Sequence, residues 1–190
     1  MKLRMTVILA VLALLPAGYT LGQAILTEFT GTEGPGGFPN FATTTVNCPG
    51  GQPTGLWPPF GSPCTDGSRV HIRGAKFYYI VGSTDPRFAG LEEVTMNGNF
   101  EGWRSDLFGP GSGQMWGTLV LRVTADEVWE GTWTGTRTVT GNVAVSSIQA
   151  VAHGSGGRLE GLTANWQVTL DPGASVGVCQ GRILAPPRGK

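Results

Sequence analysis

The side chains of widest chemical reach gather in the C-terminal half of this sequence. Trp129 and Trp133 sit in the run Trp129-Glu130-Gly131-Thr132-Trp133-Thr134-Gly135-Thr136, Arg137 follows, and Gln149, Glu160 and Trp166 come later. Large apolar rings with sparse hydrogen-bonding groups are what a small-molecule pocket needs: rings supply contact area, and polar groups fix orientation. Trp129, Trp133, Arg137, Gln149, Glu160 and Trp166 are therefore the candidate ligand-binding residues. Glu160 is also the candidate catalytic group, because a carboxylate in apolar surroundings can be poised as a general base. A structural reading stands beside this one, with the tryptophans filling a core and Arg137 paired to Glu160.

Other chemistries find less support. Two histidines, His71 and His153, stand far apart without His-x-x-x-His or Cys-x-x-Cys spacing, so no metal site is expected. Gly154-Ser155-Gly156-Gly157 has no helix after it, which argues against a phosphate cradle. No cofactor is implied. The acids Glu92, Glu93, Glu101 and Glu130 are expected to face water.

The elements that must position these residues read as strands. From Arg69 onward, stretches of alternating character punctuated by turn residues predict strands at roughly 69–81, 92–104, 115–124, 128–139, 143–153, 158–170 and 175–184, with Ile25 to Thr30 as a first. No helical period appears. The fold class is therefore all-β, an eight-stranded antiparallel barrel whose interior is filled by side chains or holds one small ligand. On the strand of Trp129 and Trp133 the opposite face is nearly all threonine, so the tryptophans point inward.

If Gly154 to Gly157 form a four-residue loop, Val151 lies opposite Glu160, Gln149 opposite Leu162 and Val145 opposite Trp166. Gln149 and Glu160 then join the interior. That register requires a three-residue turn Thr140-Gly141-Asn142 before it. A two-residue Gly141-Asn142 turn would shift it by one, and both stay open. Gly31 to Ser68 shows no periodicity and reads as a long Gly/Pro-rich loop. It is expected to fold as a flap over one mouth, anchored by Trp57 and Phe60.

The Trp129 to Thr136 run, followed by Ala150-Val151-Ala152-His153-Gly154-Ser155-Gly156-Gly157-Arg158-Leu159-Glu160-Gly161-Leu162, resembles the strand and hairpin pattern of the allene oxide cyclase and dirigent-like barrels, a calycin-type superfamily. A small residue, a Gly-x-Gly turn and a Leu-x-Gly strand carry the likeness, which covers the C-terminal half. It implies an eight-stranded barrel with a pocket for an apolar small molecule, in which some members guide cyclisation and others only bind. No catalytic residue of the plant cyclases is placed on this chain.

Lys2 and Arg4, a largely apolar stretch from Met5 to Leu15, Pro16 and the small-residue pattern Gly22-Gln23-Ala24 read as a signal peptide over 1–24, cleaved after Ala24. Residues 25–190 are then one domain, secreted or periplasmic, with no integral membrane segment after cleavage. Cys48 and Cys64 bracket the Pro/Gly-rich loop and are expected to form a disulfide in an oxidising compartment. Cys179 reads either as a catalytic thiol or as a buried small hydrophobe. Thirteen basic and thirteen acidic residues cancel, which speaks against nucleic acid or anionic membrane as partners. The composite expectation is a secreted barrel binding a small apolar or aromatic molecule, with oligomerisation left open. The alternatives are a cofactor-free cyclase or isomerase in the same pocket, and a surface interaction module using the threonine face or the flap.

Overall fold

Alternation carries through, among the described residues, into eleven strands: β1 (Ile25–Pro35), β2 (Thr45–Asn47), β3 (Val70–Ser83), β4 (Gly90–Phe100), β5 (Trp103–Arg104), β6 (Gly109–Pro110), β7 (Gly113–Arg122), β8 (Val128–Thr140), β9 (Val143–Ser155), β10 (Thr163–Leu170) and β11 (Gly177–Ala185). The structure is a computed structural model and describes residues 24–37, 39–55, 62–65, 67–104, 109–170 and 176–187. The expected signal peptide, apart from Ala24, and the expected anchors Trp57 and Phe60 lie outside these residues. No α-helix occurs among the described residues, where two short 3-10 turns, Pro86–Phe88 and Gly157–Leu159, serve as connections.

Nine strands form one antiparallel sheet in the order β1-β11-β10-β9-β8-β7-β4-β3-β2, and β1 also pairs with β3. The eight long strands are thereby hydrogen-bonded in a ring. The ring is staggered. Following partners from Gly82 through Thr32, Val178, Thr169, Ser147, Thr136, Gln114 and Asn99 returns to β3 at His71, eleven residues along the strand. One of those eleven is the extra residue of a bulge between Ile72 and Ala75, where Gly74 adopts φ +73°. A positive φ there suits glycine, which has no Cβ to clash.

Side chains on the inner faces build the core, and one end of the ring is packed shut. Phe88, carried by the 3-10 turn between β3 and β4, stacks on Phe29 with ring centroids 4.2 Å apart and meets Trp166 edge-on at 4.7 Å. Trp129 is fully buried there, and its Nε1 donates to the Arg87 carbonyl at 2.7 Å. The Gly157–Leu159 turn buries Leu159 at the same end. It is clamped by Glu127, whose carboxylate accepts from the Arg158 backbone N at 2.8 Å and from the Arg158 guanidinium at 2.9 and 2.7 Å. Those bonds hold the Glu127 carboxyl down at about 2.

The flap differs from the expected 31–68. β1 continues through Gly31-Thr32-Glu33-Gly34 to Pro35, because this segment has strand partners on both sides, β11 and β3. The flap proper therefore begins after Pro35, and it contributes β2, which pairs with β3. Cys48 and Cys64 form the expected disulfide, with Cα atoms 5.6 Å apart, and both sink into the core. Cys179 is free and buried.

The β9–β10 register also differs. The turn from β8 to β9 is the two-residue Gly141-Asn142, with Thr140 opposite Val143 and Gly141 at φ +59°. At the other end His153 lies opposite Thr163 and Ala150 opposite Trp166, because the 3-10 turn lengthens the connection beyond four residues. The face of β10 is as expected, with Ala164, Trp166 and Val168 inward, while β9 is turned over. Ala144, Ser146, Ala150 and Ala152 are buried, and Gln149 and Val151 are exposed.

Candidate functional site

Away from the packed end the inner faces do not meet. A cavity of about 300 Å³ remains toward the end where β1, β8 and β10 finish and β7, β9 and β11 begin. Its wall is mostly apolar: Phe77, Val94 and Met96 from β3 and β4, Met115 and Leu119 from β7, and Ile148 and Val168 opposite. Trp133 and Trp166 add aromatic surface, and Gly109-Pro110 of β6 lies at the rim beside Arg137.

Glycine on β7 makes room for Trp133. A Cβ at Gly117, the cross-strand partner of Trp133, would collide with the Thr95 carbonyl oxygen and come within 2.9 Å of Trp133 Nε1. The indole thus lies over bare backbone. Trp133 is 5% exposed, and its Nε1 has no hydrogen-bond partner among the described residues.

The polar groups come from five strands: Glu33 on β1, Tyr79 on β3, Glu92 on β4, Arg137 on β8 and Ser146 on β9. Tyr79 is the register partner of both Glu92 and Pro35, and Glu33 precedes Pro35 by two residues on the same face. Glu33 and Glu92 are only 6% and 3% exposed. Burial pushes the Glu33 carboxyl up to about 7, against the opposing pull of a hydrogen bond from the Trp166 indole N–H. Glu92 is raised well above the usual carboxylate range, first by burial and then by the charge of Glu33. Tyr79 is raised by burial and by both acids, and the Cys179 thiol is pushed up to about 12 by the same causes. Neither acid makes an ion pair among the described residues. A neutral thiol in such a place is a poor nucleophile, so Cys179 acts as packing.

Arg137 is half-buried, and its Nε donates to the Pro110 carbonyl at 2.8 Å. It has no acid within ion-pair distance among the described residues, and burial lowers its pKa. The expected Arg137–Glu160 pair is absent. Glu160 is exposed, and its carboxylate accepts from the Gly156 backbone N at 2.9 Å, closing its own turn. The inward placement of Glu160 and Gln149 is corrected by the longer β9–β10 connection. Trp129 points inward as expected but belongs to the packed end. Trp133, Trp166 and Arg137 are brought together at the cavity.

Sequence reasoning missed Glu33 and misplaced Glu92. Glu92 shares the parity of Val94 and Met96, so alternation along β4 turns it inward, while Glu93 faces out and pairs with Lys76 at 2.5 Å. Glu33 continues the parity of Phe29 and Gly31, a signal hidden by the glycines around it. Gly173-Ala174-Ser175-Val176-Gly177 has the spacing of a nucleophile elbow, but it leads into β11 and not into a helix, and its serine lies outside the described residues. No protein-family model, curated protein or solved structure matches the chain.

Proposed function

We propose that the hydrogen-bonded ring is an eight-stranded barrel of calycin type, that the protein works outside the cytoplasm, and that its interior binds one small apolar or aromatic molecule. The observation that carries the binding reading is an apolar cavity of about 300 Å³ walled in part by Trp133, whose buried Nε1 has no partner among the described residues. A buried donor left unsatisfied costs about 1–3 kcal/mol, and a ligand oxygen would remove that cost. The staggered return of the register supports the barrel, because closing a sheet on itself requires such a shear. The disulfide supports an oxidising compartment. No helix among the described residues is long and apolar enough to cross a membrane.

The test is native mass spectrometry of the oxidised protein together with titration by N-phenyl-1-naphthylamine, read by tryptophan quenching. One small apolar molecule per chain, or saturable quenching that disappears in the cavity-filling variant Ala150→Leu, is the expected result. Neither adduct nor saturable quenching would sink the reading. A cofactor-free cyclase or isomerase is the second reading, favoured by one observation. Two buried carboxyls on the strands flanking β3 are raised, Glu33 to about 7 and Glu92 well above the usual carboxylate range, as acid–base pairs in active sites are. In that case Glu33→Gln abolishes turnover of the bound molecule while leaving its binding intact.

A further inference from the structure

An apolar ligand alone would leave two groups of the cavity unmet. Trp133 Nε1 is a donor and nothing else, buried over the Gly117 backbone beside the cavity and lacking an acceptor among the described residues. Arg137 brings five N–H donors, of which Nε is engaged by Pro110, and it has no counter-charge among the described residues. A half-buried guanidinium without an anion is costly, and its planar fork fits a carboxylate with two parallel hydrogen bonds. The two residues are four apart on the inner face of β8, so their Cα atoms are about 13 Å apart along the strand. Both side chains line the same cavity, so one ring-bearing molecule can lie between them.

The acids divide the cavity further. Glu33 and Glu92 come from β1 and β4, the two strands that flank β3, across the ring from the β8 strand that carries Arg137. Any negative charge they carry would repel an anion, leaving the Arg137 side as the place for one. Near Trp133 no cation among the described residues offsets a charge, so the acceptor there must be neutral to avoid a desolvation cost.

We propose that the molecule held in this cavity is a ring-bearing apolar carboxylate with a neutral carbonyl or ether oxygen in its body, the oxygen accepting from Trp133 Nε1 and the carboxylate bound by Arg137. This deepens the binding reading and rests on it. The probes are 6-acetyl-2-naphthoate, which carries both groups, 6-ethyl-2-naphthoate, which lacks the carbonyl, and 2-acetylnaphthalene, which lacks the carboxylate. Isothermal titration of the oxidised wild-type protein is expected to show about tenfold weaker binding when the carbonyl is lost, and at least about tenfold when the carboxylate is lost.

Trp133→Phe should erase the first preference and keep the second, and Arg137→Gln should do the reverse. Circular dichroism and thermal melting establish that each variant is folded. Should one fail to fold, the wild-type ratios across the three probes still decide the matter. Equal affinity for all three, or no binding of any, overturns the proposal. The binding reading falls separately, only if the native mass spectrum and the naphthylamine titration are also empty.

Discussion

Glu33 has an ordinary carboxyl value of 4.5 and is held at about 7 in the folded chain by burial. Below 4.5 both the folded and unfolded states carry its proton. Between 4.5 and 7 only the folded state does, and above 7 the folded state must bear a buried charge. Stability linked to this group is therefore fully present below 4.5 and is lost as pH rises through 7, a loss of about 3 kcal/mol. Glu92 works in the same direction. Glu127 has the opposite sign: its value of about 2 makes its contribution present above 4.5 and lost only as pH falls toward 2. Urea unfolding at pH 5 and pH 8 should show lower stability at the higher pH, and Glu33→Gln should flatten the difference. An unchanged difference in the variant would show that the carboxyl is not buried as described. Glu160→Gln, by contrast, should move stability by no more than about 0.5 kcal/mol and leave ligand binding unchanged, because this carboxylate is exposed and bonded to its own turn. The legibility of these residues followed contrast. The tryptophans announced the interior by size, whereas an inward glutamate flanked by glycines or by another glutamate looks like any exposed acid until its strand is placed.

At the level of elements, the same contrast decided which faces could be read. β8 and β10 set tryptophan and valine against threonine and glutamine, so their inner faces are plain from the sequence alone. β9 alternates Ala144, Ser146, Ala150 and Ala152 with Val143, Val145, Gln149 and Val151, so apart from inward Ile148 and outward Ser147 the outward residues are the larger ones. Its orientation then hung on the lengths of two connections. A 3-10 turn that hides Leu159 resembles the start of a strand, and counting it as strand turns β9 over. The small residues of β9 have a structural purpose in the register observed, since Ala150 lies opposite both Trp133 and Trp166 and leaves space between the two rings. Gly117 serves Trp133 from the other side. Gly117→Ala would force its Cβ against the Thr95 carbonyl and the indole, and is expected to cost about 1–3 kcal/mol by chemical denaturation. The shifted indole should also weaken any ligand held at Nε1. Unaltered stability and affinity would mean that β4, β7 and Trp133 fit together less tightly than the backbone places them.

The molecule as a whole depends on how one strand is flanked. One side of β3 is bonded along its length by β4, while the other is shared out: β1 takes Tyr79 to Ser83, an isolated bridge joins Asn40 to Lys76, and β2 takes His71 to Arg73. The first of these closes the ring and the other two belong to the disulfide-bearing flap. Replacing Cys48 and Cys64 together by serine removes a cross-link with a sequence separation of 16 and is expected to cost about 3 kcal/mol in a denaturant titration. The larger effect should appear in solubility. Once the flap lifts, the stretch from His71 to Lys76 presents unpaired backbone N–H and C=O groups, and such an edge is a template on which another chain can add a strand. Arg73 and Lys76 give little protection there, because the Arg73 guanidinium is bonded to Gly98 and Asn99 on β4 and Lys76 is paired with Glu93 on the same strand. Light scattering of the reduced protein, held below its melting temperature, should rise with concentration while the oxidised protein stays clear. On that outcome the cross-link is a guard against self-templated assembly, and a reducing environment would turn a closed molecule into one able to recruit its own copies.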